Sequence, residues 1–397
     1  DGCQGCLAHP CKEVCPKGAI SIVHGKSVID QSKCIKCGRC KDVCPYNAII
    51  KQERPCAAAC GMDAISSDEL GRAKIDYDKC VSCGMCMVNC PFGAISDKGQ
   101  IFQLIQSIKQ GDRVIAAVAP AYAGQFGPKV TPAKFKAAMQ ALGFDNVMEV
   151  AIGADFCTIE EAKDFLEKVP AEQPFMATSC CPSWSVMAKK EFPEFAPYIS
   201  MTLTPMVWTA RMLKKRHKNC KVVFVGPCSA KKLEASRRTV RSDVDFVLTY
   251  EELMGMFQAK GVDPEKIEVT PEQMAEENPL GIATADGRNF AVSGGVAKAV
   301  AHVIEEMDPT REVKIKAAQG LRECKKMLLE AKKGMYDGYL LEGMGCPGGC
   351  VAGAGTIQAV NKAAALVGLY AGKSKHEGEP LTIASDNKYA IIAELLD

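Results

Sequence analysis

Residues 340–355 read LLEGMGCPGGCVAGAG, which sets two thiols, Cys346 and Cys350, among six glycines. Ionised thiols are nucleophiles and metal ligands. Glycine has no Cβ, so backbone built from it can close tightly around a ligand. Such a loop suits wrapping a bulky group better than building a core. The chain holds 22 cysteines, 14 of them within the first 90 residues. A disulfide framework belongs to short secreted chains that cannot build a core. This chain has 397 residues, 47% of them hydrophobic. Its thiols are therefore read as metal ligands in a reducing compartment, and a cytoplasmic location is expected.

The amino-terminal thiols form a repeat. One phrase recurs as VCPKGAI (14–20), VCPYNAI (43–49), ACGMDAI (59–65) and NCPFGAI (89–95), each ending a cysteine group and entering an expected short strand. Cys34, Cys37, Cys40 and Cys44 follow C-x2-C-x2-C-x3-C-P, as do Cys80, Cys83, Cys86 and Cys90. Cys3, Cys6, Cys11 and Cys15 follow the variant C-x2-C-x4-C-x3-C-P. This is bacterial ferredoxin spacing, in which the fourth cysteine ligates the other cluster of a pair. Zinc sites instead use two separated C-x2-C pairs. Crossed pairing assigns Cys3, Cys6, Cys11 and Cys44 to one 4Fe–4S cluster, and Cys34, Cys37, Cys40 and Cys15 to a second. In the next pair Gly61 replaces the usual Pro, and Cys60 completes a third cluster with Cys80, Cys83 and Cys86. Cys56 and Cys90 then lack two partners and are expected to be small buried apolar residues. Three clusters in series make an electron wire, and a wire needs a site at its far end.

The elements that would carry that site follow residue 97. Strands are expected at 113–120, 221–227 and 336–343, and helices at 131–143, bounded by Pro132 and Gly143, and at 158–169. Alternation of strand and helix implies α/β layers with mainly parallel sheet, whose ligands collect at the carboxyl ends of strands. The expected organisation is a ferredoxin-like domain over 1–52 with two clusters, a degenerate one over 53–97 with one, and a catalytic α/β domain over 98–397. Its distinctive loops are TSCCPSW (178–184), GPCSAKKLE (226–234) and the glycine-rich stretch. Four thiols from these loops, Cys181, Cys228, Cys346 and Cys350, could close one cubane. A net charge of +2 gives no reason to expect nucleic acid or an anionic membrane as partner. No apolar run reaches the roughly 18–20 residues of a membrane span. The opening DGCQGC has neither the basic nor the apolar region of a secretion signal, and without a starting Met it leaves room for residues upstream.

At these three loops the sequence resembles the iron-only (FeFe) hydrogenases, whose signatures are TSCCP-x-W, M-P-C-x-x-K-x-x-E and E-x-M-x-C-x-G-G-C. The likeness covers nearly the whole chain, in family order. It implies that Cys181, Cys228, Cys346 and Cys350 hold a 4Fe–4S cubane, bridged by Cys350 to a diiron azadithiolate unit with CO and cyanide ligands, together the H-cluster. It implies reversible oxidation of H2 to protons and electrons. The electrons would pass through the accessory clusters to a ferredoxin-type carrier, and maturation proteins would supply the diiron unit. The resemblance makes Cys180 the first proton relay, followed by Glu161, Ser200, Asp164 and Lys168, with Asp164 and Lys168 replacing the Glu and Arg of better-known members. Glu161, Asp164 and Lys168 share one helix face at i, i+3 and i+7, which suits a relay and equally a solvated face. Lys231 would donate to one cyanide. Pro120 and Ala121 would offer backbone to the other, and Met344 would form an apolar wall.

Two positions depart from the family pattern: Gly226 stands where Met is usual, and Met206 where Gln is usual. One side of the site should therefore be less hydrogen-bonded. Lys232 is expected to be a surface charge, and Cys157, Cys220 and Cys324 structural. Other readings are an H2 sensor with low turnover and a non-catalytic iron–sulfur assembly or electron-transfer protein. The latter would be expected to lose pocket residues such as Cys180, Lys231 and Met344, which remain here.

Overall fold

The computed structural model describes residues 2–50, 53–275 and 279–374. The chain forms two compact units, Asp1–Ala58 and Ala59–Asp397. In the smaller unit β1 (Ile20–Val23) and β2 (Lys26–Ile29) pair as an antiparallel hairpin. Its turn, His24–Gly25, has φ of 50° and 75°, the left-handed pair that a twisted two-residue hairpin requires. The larger unit opens with a second hairpin, β3 (Ile65–Ser67) and β4 (Ala73–Ile75).

The sequence repeat is also a backbone repeat. The third residue after each phrase cysteine, Gly18, Asn47, Asp63 and Gly93, takes φ of 56°, 49°, 48° and 58°. Gly, Asn and Asp are the residues that tolerate this region. Where a C-x2-C opens each group, the residue two beyond its first cysteine turns its N–H back onto the sulfur. Gly5, Lys36 and Ser82 donate to Cys3, Cys34 and Cys80 at 3.5, 3.4 and 3.4 Å.

The rest of the larger unit is built on two parallel sheets. The first has order β6–β5–β8–β9, from β5 (Val114–Val118), β6 (Asn146–Glu149), β8 (Lys221–Gly226) and β9 (Phe246–Thr249). The second has order β10–β11–β7, from β7 (Met176–Ala177), β10 (Lys314–Gln319) and β11 (Tyr339–Met344). Every residue of β5 is buried, as expected of a central strand covered on both faces. The expected strands at 113–120, 221–227 and 336–343 thus form as β5, β8 and β11. Helix Pro132–Leu142 has Thr131 as its N-cap, accepting from Lys134 N, and Gly143 closing its end at φ 105°. The helix expected at 158–169 begins earlier and spans Ala151–Lys168, with 12 buried residues. Its first turns are buried all round, so no helical periodicity marks them.

Candidate active site

The three cysteine loops all leave the carboxyl ends of strands. β7 runs into Thr178–Cys181, β8 into Cys228, and β11 into Met344 and Cys346. Close approach between loops explains the glycines. A Cβ on Gly343 would stand inside the ring of Trp184, and one on Gly353 would meet the backbone of Pro227. Trp184, fully buried, donates from Nε1 to Thr178 O at 2.9 Å and closes the TSCCPSW loop on itself. Gly355 N donates to Pro227 O at 2.8 Å, joining the second and third loops. Gly345 N donates to Cys181 Sγ at 3.3 Å, joining the first and third.

The loops bring Cys181, Cys228, Cys346 and Cys350 together. Burial pushes the thiols of Cys228, Cys346 and Cys350 up first, Cys228 to about 12; the charge of Cys181 adds to all three, and that of Cys228 to Cys346 and Cys350. Desolvated thiols crowded at one place, from segments far apart in sequence, are costly unless a cation stabilises their thiolates. Iron would do so, and these four residues fit the cubane of an H-cluster. Among the described residues no three His, Cys, Asp or Glu side chains close on a single ion, and all 22 cysteines are free.

The surroundings carry the remaining expected groups. Lys231, on helix Ala230–Ala235, is buried, and its Nζ reaches Glu234 Oε2 at 2.6 Å, Cys180 O at 3.2 Å and Thr204 Oγ1 at 3.4 Å. Thr204 Oγ1 donates to the other Glu234 oxygen at 2.7 Å. Burial alone would lower the ammonium pKa, but Glu234, with smaller help from the Cys228 and Cys180 thiols, more than offsets it, so Lys231 stays cationic. Pro120 and Ala121 are buried in a single 3-10 turn directly after β5, and Met344 is buried at the end of β11. Met206 packs in the apolar cluster with Phe224 and Ala119. A Cβ on Gly226 would lie 2.5 Å from the Phe224 ring, so that ring fills the space a longer side chain would need.

The residues expected to relay protons lie partly together. Cys180 keeps some accessible surface, but its sulfur is desolvated by surrounding protein and its thiol pushed well up, the Glu161 carboxylate adding to this. Glu161 is fully buried, accepts from Ser179 N at 3.4 Å, and is pushed up to about 7 by burial, opposed by the Ser200 hydroxyl. Its Oε2 has no hydrogen-bond partner. Ser200, also buried, is held by its N–H on Ala177 O at 2.8 Å. Asp164 and Lys168 pair at 3.1 Å, half-buried, one turn farther along the same helix.

Among the accessory thiols one of the expected crossed sets shares a single cavity. Cys3, Cys6, Cys11 and Cys44 line one cavity of about 210 Å3. Cys34, Cys37 and Cys40 act on one another electrostatically, and Cys15 accepts from Ala19 N at 3.3 Å. Cys83, pushed up to about 11 by burial, also feels Cys86, Cys60 and Cys80. Gly61 replaces Pro because a Cβ there would lie 2.7 Å from Leu321 Cβ. Cys56 is buried as expected. Cys90 is not: it is half-buried, accepts from Ala94 N at 3.3 Å, and these backbone donors hold its thiol below the usual value. Lys232 also departs from expectation, being paired rather than solvated. Cys157, Cys220 and Cys324 are buried, and Cys157 adjoins the site closely enough to act on Cys180.

The family model for the iron-only hydrogenase large subunit, C-terminal domain, matches residues 112–354, and the 4Fe–4S binding domain matches 27–50 and 73–96. The chain belongs to the iron-only hydrogenase large-subunit family. It is 30% identical to the periplasmic [Fe] hydrogenase large subunit of Nitratidesulfovibrio vulgaris, over 91% of this chain and 93% of that one. Iron hydrogenase 1 of Clostridium pasteurianum is 28% identical over 88% of this chain and 68% of its own. A more distant relative is the cytosolic Fe-S cluster assembly factor narfl of Xenopus tropicalis, 27% identical over 58% of each chain. The solved apo [FeFe]-hydrogenase HydA1 of Chlamydomonas reinhardtii shares the fold at a TM-score of 0.58 and 22% identity, over 73% of this chain and 94% of that one.

Proposed function

We propose that this family member interconverts H2 with protons and electrons at an H-cluster, exchanging electrons with a ferredoxin-type carrier. The observation that carries the reading is the convergence of four loop thiols with Lys231, Met344 and Cys180, the residues that an assembly protein without a diiron unit would have no need to keep. When bound, the H-cluster supplies the H2-splitting chemistry itself. Cys181, Cys228, Cys346 and Cys350 would hold it, and Lys231, oriented by Glu234 and Thr204, would donate to an anionic ligand. Pro120, Ala121 and Met344 would exclude water around it. Cys180 would exchange a proton with the site, and Glu161, titrating near neutrality, would pass it toward Ser200, Asp164 and Lys168.

The accessory thiols would hold three 4Fe–4S clusters, and Cys346 feels the charge of Cys83, which supports electron entry from the Cys60–Cys86 group. The reading extends to a cytoplasmic location, although the Nitratidesulfovibrio relative is periplasmic. The iron–sulfur assembly reading is kept because such factors are among the relatives. The discriminating experiment is H2 evolution by the matured protein under anaerobic reduction. Activity is expected, and Cys180→Ala should lower it by about a hundredfold or more. Equal turnover in the variant would remove the relay assignment, and no turnover in the parent would favour the assembly reading.

A further inference from the structure

Lys232 occupies a variable position of the second signature motif, beside Lys231. Only 11% of its side chain is exposed, and its Nζ is 2.9 Å from Asp97 Oδ2 and 2.8 Å from Glu252 Oε1. Three segments meet at this ammonium. Asp97 closes the stretch after the Cys80–Cys90 repeat. Glu252 lies on helix Tyr250–Lys260 after β9, where its Oε2 accepts from Thr249 N at 2.7 Å in a capping box. Lys232 itself rides on the helix that follows Cys228.

The contact through which electrons would enter is built from the same segments. A Cβ on Gly84, in the Cys80–Cys90 repeat, would meet Ala354 Cβ and would lie 3.0 Å from Ser229 Oγ. Ser229 Oγ reaches Met87 Sδ at 3.9 Å. Gln100 Oε1 accepts from Val247 N at 2.7 Å, tying the chain just after Asp97 to β9. The close approach of Ala354 and Ser229 to Gly84 leaves little slack. The ion triad is therefore the charged fastening of a close joint between the Cys83 group and the loops of Cys228 and Cys346. Without the cation, two partly buried carboxylates would face each other and push Asp97 away.

We propose that Lys232 is the positioning residue of the electron relay, joining Asp97 to Glu252 so that the Cys60–Cys80–Cys83–Cys86 group is held against the Cys228 and Cys346 loops. The inference rests on reading those thiols as cluster ligands, so its test separates the two. The full matured chain is compared with Lys232→Met, Lys232→Arg and Asp97→Asn. Iron content and the infrared bands of CO and cyanide report the clusters. Spin–spin coupling between the reduced accessory cluster and the active-site cubane, read by electron paramagnetic resonance, reports the joint.

Lys232→Met should keep iron and bands, weaken the coupling, and slow H2 evolution driven through the clusters by at least about tenfold, since small misplacements carry large rate costs. Lys232→Arg should restore most of the coupling, and Asp97→Asn should fall between. Unaltered coupling and rate in both Lys232→Met and Asp97→Asn, with iron intact, would overturn the proposal. If Lys232→Met does not fold, Asp97→Asn decides, because it releases the segment while leaving Lys232 paired with Glu252. Missing iron in the parent chain would instead overturn the cluster reading.

Discussion

Glu161 shows how one residue's environment sets its chemistry. A carboxyl with no exposed surface and one unpartnered oxygen holds its proton to about pH 7, well above its ordinary 4.5. The same burial has a stability consequence. Between those two values the unfolded chain has lost the proton and the folded chain has kept it, so stability falls as pH rises from about 4.5 to about 7. The contribution is on the order of 3 kcal/mol. Glu161→Gln should flatten that part of the pH–stability curve of the cluster-free protein in denaturant titrations, while Asp155, buried and likewise raised to about 7, retains its share. An unaltered slope in the variant would contradict the placement of Glu161. Residue identity and spacing made Glu161 a candidate, but burial cannot be read from an i, i+3, i+7 pattern that also fits a solvated face. The partnership of Lys232 was equally hidden, since Asp97 and Glu252 lie far from it in sequence and no local pattern links them.

Among the elements, three of the seven parallel strands, β5, β8 and β11, were legible because each is a short apolar run ending at a loop of unusual composition. By contrast, β7 is only two residues long, and β10, KIKAAQ, is largely exposed and carries no such run. The early start of helix Ala151–Lys168 was not legible either, because a helix buried on all sides loses its periodic signature. β8 carries a testable case of compensation. Its Gly226 replaces the family's usual Met, and the Phe224 ring occupies the vacated space. Gly226→Met alone should destabilise the protein by about 1–3 kcal/mol through overpacking. Adding Phe224→Leu should recover much of that loss, since the two side chains compete for one volume and their effects cannot be additive. Denaturation midpoints of the two single variants and the double variant measure the coupling. Strict additivity would show that the Phe224 ring is not what excludes the larger side chain.

At the scale of the molecule, the division at Ala58 places one accessory group in the same compact body as the active site and two in the other. A chain beginning at Ala59 should therefore fold and, once matured, bind about 10 irons rather than about 18, counting four per cubane and two for the diiron unit. Iron analysis with protein quantitation checks this, and a truncated chain that aggregates or loses all iron would show that the larger unit depends on the smaller. The repeat of C-x2-C groups announced these sites in the sequence because each cluster draws on ligands that are close together in the chain. The four loop thiols stood out as a candidate cubane set, but only family resemblance gave them a catalytic role, since they come from loops up to 169 positions apart.

The most direct test of the central claim is infrared spectroscopy of anaerobically matured protein. Bands in the CO and cyanide stretching region, lost on replacing Cys350 with Ala, are predicted by a diiron unit anchored at the four loop thiols. A fully iron-loaded protein with no absorption in that region would contradict it.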